Sequence, residues 1–168
     1  MNGSTPIEAG SERSERAVIP YGRQDITEAD LEAVRRVLLS DFLTQGPVVP
    51  EFESRMAALV GARFAVASNS ATSSLHLACL ALGVSRGDLV WTTPITFVAS
   101  ANCARYCGAE VDFVDIDKRS YNISVASLEQ KLFAAEKAGR LPKVVIPVHL
   151  AGHPADMEPI WRLSRQYG

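Results

Sequence analysis

Residues 64–83 read Phe64-Ala-Val-Ala-Ser-Asn-Ser-Ala-Thr-Ser-Ser-Leu-His-Leu-Ala-Cys-Leu-Ala-Leu-Gly83, and this stretch decides the fold. The apolar segment 64–67 predicts a short buried strand, and the following residues 68–74 form a turn rich in hydroxyl groups. Apolar residues then recur at helical spacing up to Leu82, and Gly83 stands where a C-terminal cap belongs. The stretch therefore predicts a strand that passes through a polar turn into an amphipathic helix.

This turn has the chemistry of an anion site. The first backbone N–H groups of a helix are unpaired, and the helix dipole places partial positive charge beside them. Ser70, Thr72 and Ser73 add side-chain donors and are small enough to let a phosphate approach. An equally open interpretation is that Ser70 only caps the helix while the other hydroxyl groups face solvent.

Length, composition and charge limit the kinds of protein that this chain can be. The chain has 168 residues, 47% of them hydrophobic, which suits one α/β domain with a substantial core. The net charge of −2 gives no electrostatic argument for binding nucleic acid or an anionic membrane, and no apolar run is long enough to cross a bilayer. We expect residues 1–17 to be a disordered N-terminal extension, and the three cysteines suit a reducing, cytoplasmic location.

The order of predicted elements indicates a parallel sheet. Strands are predicted at 64–67, 89–93, 110–116 and 143–150, and helices at 28–39, 50–61, 71–82, 96–107, 124–138 and 155–167. A strand followed by a helix, repeated four times, is typical of an α/β fold with helices on both faces of the sheet. Ligands of such folds bind beyond the carboxyl ends of the strands. Phe97 follows one of these ends, where it either stacks on a flat ligand or belongs to the core.

The sequence lacks the motifs that are typical of several other functional classes. The chain has no G-x-G-x-x-G after a strand, no P-loop motif and no G-x-S-x-G elbow. His149 and His153 are four residues apart, but Gly152 and Pro154 break any helix there, so no metal site is predicted. Cys103 and Cys107 are expected to be buried thiols.

Six sequence blocks, in this order and spacing, resemble the N-terminal half of the DegT/DnrJ/StrS sugar aminotransferases, which are fold-type I enzymes that use pyridoxal phosphate. The blocks are Ser40-Asp-Phe-Leu-Thr-Gln-Gly-Pro47, Phe52-Glu53, Asn69-Ser-Ala-Thr-Ser73, Thr93-Pro-Ile-Thr-Phe-Val-Ala-Ser-Ala-Asn102, Val114-Asp-Ile-Asp117 and Pro147-Val-His-Leu-Ala-Gly152. The resemblance covers residues 18–168 and implies the N-terminal part of the large domain of such an enzyme, here truncated. Within the family, the blocks are most similar to the UDP-4-amino-4,6-dideoxy-N-acetyl-altrosamine transaminase branch of pseudaminic acid synthesis.

The resemblance also implies roles for individual residues. Four residues lie on family positions that bind the pyridoxal 5'-phosphate cofactor. Ser70, Ala71 and Thr72 correspond to residues at its phosphate, and Phe97 corresponds to a residue that stacks on its ring. Those on positions that touch the nucleotide-sugar are Tyr21, Asp41, Phe42, Leu43, Thr44 and Ala71. His149 is a weaker candidate. The implied reaction transfers an amino group from an amino acid, usually glutamate, to a UDP-4-keto-6-deoxy-N-acetylhexosamine, in a cytoplasmic homodimer.

One departure from the family pattern concerns the catalytic lysine. The family's Schiff-base lysine, and the acid that holds the pyridinium nitrogen, lie beyond the position that matches Gly168. Lys118, Lys131, Lys137 and Lys143 lack the family's lysine context and are predicted to be solvated surface groups. We therefore expect this stretch alone to be unable to complete catalysis. Two alternatives remain, namely an aminotransferase or dehydratase of the same family for another nucleotide-sugar, and a non-catalytic module that binds a sugar-nucleotide or phosphate.

Overall fold

The computed structural model describes residues 22–168, of which 22–51 belong to one compact unit and 52–168 to a second. The predicted disordered extension at 1–17 and the candidate residue Tyr21 lie outside the described residues. No helix within the described residues is long and apolar enough to cross a membrane.

The first unit contains helix α1 (Glu28–Leu38), which agrees with the predicted helix at 28–39. Thr27 precedes it, and both its N–H and its hydroxyl donate to the Asp30 carboxylate, at 2.8 and 2.7 Å. These bonds lower the pKa of Asp30. An acid in the first turn also complements the helix dipole, so the sequence fixes where α1 begins. Helix α2 (Val48–Val60) begins in this unit and continues into the second.

The second unit is a three-stranded parallel sheet with helices on both faces. Its elements are α3 (Ala71–Ala81), β1 (Leu89–Thr92), α4 (Ala99–Tyr106), β2 (Glu110–Phe113), α5 (Val125–Lys137), β3 (Val144–Val145), a 3₁₀ turn (Leu150–Gly152) and α6 (Met157–Tyr167). The strand order is β2-β1-β3, and both pairings are parallel. The predicted α/β class with a parallel sheet is thereby confirmed.

The side chains of successive residues in the central strand β1 point to opposite faces of the sheet, because side chains alternate along a strand with a period of two residues. Val90 packs with Cys79 of α3 and Cys103 of α4 in one buried cluster. Trp91 packs in another cluster, whose other members include Leu128 and Leu132 of α5 and Ile160 and Leu163 of α6. One face of the sheet is therefore covered by α3 and α4, and the other by α5 and α6.

The predicted strand at 64–67 does not form. Phe64 and Val66 are 80% and 81% exposed, and the Ala67 N–H donates to the Glu53 carboxylate at 2.8 Å. A strand requires a neighbour to complete its ladder, and no described segment pairs with these residues. Apolar content alone was therefore an insufficient signal at this position.

The other predicted strands and helices form, with changed limits. The strand at 143–150 shortens to Val144–Val145, since Ile146 makes the last ladder bond to Trp91 and Pro147 has no N–H to continue the ladder. The strand at 110–116 ends at Phe113, because Ile116 pairs with Ile123 in a local hairpin. The helix predicted from residue 96 begins at Ala99.

Candidate functional site at the carboxyl end of the sheet

All three strands run in the same direction, so the segments that follow them meet at one end of the sheet. β1 leads into Thr93 and the turn to Phe97, β2 leads into the hairpin 116–123, and β3 leads into the loop 146–153. The Thr92 hydroxyl donates to the Ile146 carbonyl at 3.0 Å, which ties the ends of β1 and β3 together. This end of the sheet, called the carboxyl end below, is where ligands of parallel α/β folds bind.

Helix α3 is directed with its N-terminus towards the carboxyl end. Its last turn lies at the opposite end, where the Gly83 carbonyl accepts a hydrogen bond of 2.7 Å from Lys143, the residue before β3. From there α3 runs back over the sheet through Cys79 and Leu75, which pack in the cluster around Val90. Its 11 residues span about 16 Å at 1.5 Å per residue, slightly more than the length of β1.

The N-terminus of α3 keeps two backbone amides free. Ser70 is the N-cap, and its hydroxyl accepts from the Ser73 N–H at 3.2 Å while its carbonyl accepts from the Ser74 N–H at 3.0 Å. Among residues 22–168, nothing accepts a hydrogen bond from the N–H groups of Ala71 or Thr72. Ala71 is exposed and Thr72 is half-buried, so no packed side chain covers them.

This geometry combines the two interpretations of the turn. Ser70 does cap the helix. Its hydroxyl oxygen accepts a hydrogen bond from the Ser73 N–H, and its hydroxyl proton is donated to the Ser73 hydroxyl. The amides of Ala71 and Thr72 remain available to an anion, supported by the helix dipole. The residues present therefore fit a phosphate group, and its direct contacts with Ser70, Ala71 and Thr72 stay predictions.

Phe97 lies outside the core. Its side chain is 74% exposed in the turn between β1 and α4. The turn is held by two hydroxyl bonds, from Thr93 to the Ile95 carbonyl at 3.4 Å and between Thr96 and Ser100 at 2.9 Å. An exposed aromatic ring on a fixed turn at this end of the sheet is suited to stacking on a flat ligand.

The candidate substrate residues belong to the first unit, apart from Ala71. Asp41, Phe42, Leu43 and Thr44 lie in the connection between α1 and α2, and all four are exposed. The Ser40 hydroxyl organises the start of this connection by donating to the Val37 carbonyl at 2.8 Å. Their contact with a nucleotide-sugar remains a prediction.

Asn122 is a structural residue of the carboxyl end that the sequence analysis missed. It is 3% exposed, its Oδ1 accepts from the Leu150 N–H at 2.9 Å, and its Nδ2 donates to the His153 carbonyl at 2.9 Å. It therefore fastens the loop after β3 to the hairpin after β2. Nothing local in the sequence marks it, because its partners lie about thirty residues further along the chain.

His149 lies in the loop that Asn122 fastens. Its Nδ1 accepts a hydrogen bond of 2.9 Å from the Ala155 N–H, so the neutral ring carries its proton on Nε2. The next residue but one, Ala151, has a positive φ of 52°, a conformation that costs free energy for a residue other than glycine. No group of three or more potential metal ligands occurs within residues 22–168.

Three of the four lysines that were predicted to be solvated surface groups make specific contacts, since the Lys137 amine lies 3.9 Å from the centre of the Phe133 ring and two others bind oxygen atoms. Lys143 donates to the Gly83 carbonyl and to Asp88 at 2.9 Å, and this bond is the main cause of the lowered pKa of Asp88. Lys131 donates to the Phe113 carbonyl and to Asp112 at 2.7 Å, and it likewise lowers the pKa of Asp112. Lys143 lies at the amino end of the sheet and Lys131 beside β2, so neither is placed with the free amides of α3.

Comparison with known proteins shows the family of this chain. A sequence model of the DegT/DnrJ/EryC1/StrS aminotransferase family matches residues 24–168. The spore coat polysaccharide biosynthesis protein SpsC of Bacillus subtilis is 39% identical over 150 residues, which cover 89% of this chain and 37% of that protein. In the solved structures, the PLP form of the putative sugar aminotransferase Spr1654 from Streptococcus pneumoniae has a TM-score of 0.77 and 31% identity, covering 89% of this chain and 37% of its own. Helicobacter pylori PseC, an aminotransferase involved in the biosynthesis of pseudoaminic acid, has a TM-score of 0.79 and 29% identity, covering 88% of this chain and 38% of its own.

The solved structures that resemble this chain are fold-type I PLP-dependent aminotransferases, and the second unit has their parallel sheet. Within that class, the chain belongs to the DegT/DnrJ/EryC1/StrS aminotransferase family, which confirms the resemblance seen in the sequence blocks. The chain spans 37% of the length of the curated relative SpsC.

Proposed function

We propose that this chain is the cofactor-phosphate-binding part of a PLP-dependent aminotransferase that acts on a nucleotide-linked keto sugar. The substrate proposed is a UDP-4-keto-6-deoxy-N-acetylhexosamine, with an amino acid, glutamate by preference, as the amino donor. Membership of the family supports the reaction class. The names of SpsC and PseC, which concern polysaccharide and pseudoaminic acid biosynthesis, support a surface-glycan sugar as the substrate.

The observation that carries the proposal is the pair of free amides at the start of α3. Ala71 and Thr72 offer two N–H donors and a helix dipole to a phosphate, with only small side chains around them. Two charge-assisted hydrogen bonds of this kind bind a dianion more strongly than neutral ones would. The Thr72 hydroxyl adds a third donor.

The other candidate residues orient the two ligands. Phe97 provides an exposed ring against which a pyridine ring stacks, while Asp41 and Thr44 offer polar side chains to the sugar-nucleotide, together with Tyr21. When bound, pyridoxal phosphate supplies the electron-withdrawing ring that makes a proton at the amino-bearing carbon transferable. In this arrangement the residues of the chain bind and orient the cofactor.

We further propose that the lysine and the acid required for the chemistry lie C-terminal to residue 168, and that the complete enzyme is a cytoplasmic homodimer. The contacts of Lys131 and Lys143 support the first point. Both amines are held by carbonyl and carboxylate oxygens, and Lys143 sits at the end of the sheet opposite the N-terminus of α3.

The test removes one amide without removing the helix. Proline is tolerated at the first position of a helix, and Ser70 already has the extended backbone that proline requires before it. Ala71→Pro should therefore leave the melting temperature nearly unchanged while weakening the affinity for pyridoxal phosphate and for inorganic phosphate about tenfold, the value of one charge-assisted hydrogen bond. Titration calorimetry on the full-length protein that carries this chain measures both affinities.

Glu28→Pro is the matched control, because it makes the same change at the first position of α1. It should leave phosphate affinity unchanged. Equal affinities for phosphate in the wild type and in Ala71→Pro would contradict the proposal. Product analysis with UDP-linked keto sugars then decides whether the sugar is the one proposed or another substrate of the family.

A further inference from the structure

The segment 64–67 leads into the turn before α3, and its backbone is bonded to a side chain of helix α2. The Ala67 N–H donates to a carboxylate oxygen of Glu53 at 2.8 Å. Within residues 22–168 no strand pairs with this segment, so the carboxylate supplies the acceptor that this N–H requires. A charged acceptor also makes the hydrogen bond stronger than a neutral one would. Glu53 therefore fixes the point at which the chain enters the turn.

Glu53 lies on the inner face of α2. It belongs to the middle of the helix rather than to either end, and its side chain is half-buried. Ala57, which is buried, lies one turn further along on the same face, since residues four apart are neighbours on a helix surface. The carboxylate of Glu53 is therefore held beside Ala67 by a helix that is itself packed against the unit.

The turn that follows is joined to the first turn of α3 by serine hydroxyl groups. The Ser68 hydroxyl donates to the Ser70 carbonyl at 3.0 Å, and it is also hydrogen-bonded to the Ser74 hydroxyl. The same Ser70 carbonyl accepts from the Ser74 N–H at 3.0 Å. Residues 68–74 therefore form one hydrogen-bonded unit, which contains the two free amides of α3.

We propose that Glu53 is a positioning residue for the cofactor phosphate, because its carboxylate, through the Ala67 N–H, sets the place and direction of the two free amides. Glu53 does not itself bind the phosphate, since two anions repel each other. Its effect is pre-organisation, because amides that are already ordered lose less entropy when a ligand binds. This inference rests on the proposed function, since it concerns the same phosphate group, and it adds a residue outside the turn.

Two substitutions at Glu53 separate the hydrogen bond from the charge. Glu53→Ala, made in the full-length protein that carries this chain, removes the acceptor and should weaken the affinity for inorganic phosphate and for pyridoxal phosphate about fivefold. Glu53→Gln keeps an oxygen acceptor for the Ala67 N–H but carries no charge. It should bind phosphate at least as tightly as the wild type does, because the bond is retained and a repulsive charge is lost. Titration calorimetry measures these affinities.

Asp88→Ala is the matched control. The Asp88 carboxylate also accepts a backbone hydrogen bond of 2.8 Å, from the Ser85 N–H, but it does so at the amino end of the sheet. Asp88→Ala should lower the melting temperature and leave the affinity for phosphate unchanged. A purely structural role of Glu53 would give this same result in Glu53→Ala.

Hydrogen exchange provides a second measurement on the same variants. The peptide that contains Ala67 should exchange about tenfold faster in Glu53→Ala than in the wild type, and Glu53→Gln should restore the slow rate. The peptide that contains β1 should exchange at the same rate in all three proteins, which shows that the sheet is intact. If Glu53→Ala does not fold, Glu53→Asp takes its place with the same expected losses, because its carboxylate is one methylene group shorter.

Three results would overturn the inference: a phosphate affinity of Glu53→Ala equal to that of the wild type, an affinity of Glu53→Gln as weak as that of Glu53→Ala, and unchanged exchange of the peptide that contains Ala67. The Ala71→Pro variant distinguishes such a failure from that of the proposed function. If Ala71→Pro weakens phosphate binding and Glu53→Ala does not, only the role of Glu53 is rejected. If neither variant weakens it, the proposed function fails as well.

Discussion

The amino and carboxyl ends of the sheet differ in how their polar groups are hydrogen-bonded. At the amino end, charged side chains satisfy one another: Lys143 pairs with Asp88, and Arg140 pairs with Glu110. At the carboxyl end, Asn122 forms a buried, neutral clamp, and the amides of Ala71 and Thr72 have no partner within the described residues.

The two ends distinguish polar groups that stabilise the fold from polar groups that are available to a ligand. A donor whose acceptor is already in the chain contributes to stability and cannot bind a ligand without losing that bond. By this criterion the lysines at 131 and 143 belong to the scaffold, while the start of α3 is available. Removal of single groups at each end tests this distinction.

Asn122→Ala should give the largest change. It leaves the Leu150 N–H and the His153 carbonyl without their partner in a buried position, and we expect the free energy of unfolding to fall by about 2 kcal/mol. Urea denaturation measures this loss. Gln130→Ala, which removes an exposed amide from α5, is the control and should change little. A loss no greater than that of the control would mean that the clamp is not needed.

Ser70→Ala should have an intermediate effect. Loss of the N-cap hydroxyl removes the acceptor for the Ser73 N–H and should lower stability by about 1 kcal/mol, whereas Ser70→Gly should cost only a few tenths. If the hydroxyl also contacts a phosphate, the alanine variant loses phosphate affinity as well as stability. Thermal denaturation with and without phosphate separates the two contributions, and unchanged stability in Ser70→Ala would contradict the capping role.

Lys143→Met should have the smallest effect at neutral pH, because the pair with Asp88 is partly exposed to solvent. The folded-state pKa of Asp88 is lowered, first by the hydrogen bond from Lys143. Its contribution to stability is therefore present above the unfolded pKa of about 4 and is lost as the pH falls through the folded value. Urea midpoints between pH 7 and pH 2 should show a smaller acid-side decrease in Lys143→Met than in the wild type. Parallel curves for the two proteins would show that the pair contributes nothing.

Local signals predicted the helices well, because their causes are local. Thr27 with Asp30 marks the start of α1, and Gly83, with a φ of 69°, stands just past the end of α3 as the sequence indicates. The start of α3 was predicted equally well, since an N-cap serine and the free amides that follow it depend on consecutive residues. The parallel class followed from the alternation of strands and helices.

Segments whose structure depends on distant partners were harder to predict. The segment 64–67 has the composition of a strand but no described neighbour, and β3 keeps only two of the eight predicted residues. The exposed position of Phe97 was one of two outcomes that the sequence allowed.

The amino-acid sequence was sufficient to predict the helices, the parallel architecture and the free amides at the start of α3, since each follows from residues within a few positions of one another. Only the tertiary structure decided that 64–67 is not a strand, that Lys131 and Lys143 are bound to oxygens of the scaffold, and that Asn122 fastens the carboxyl end. A ladder, a lysine bound to oxygen atoms or a buried amide is stable only with a partner, and here those partners lie between 14 and 60 residues away along the chain.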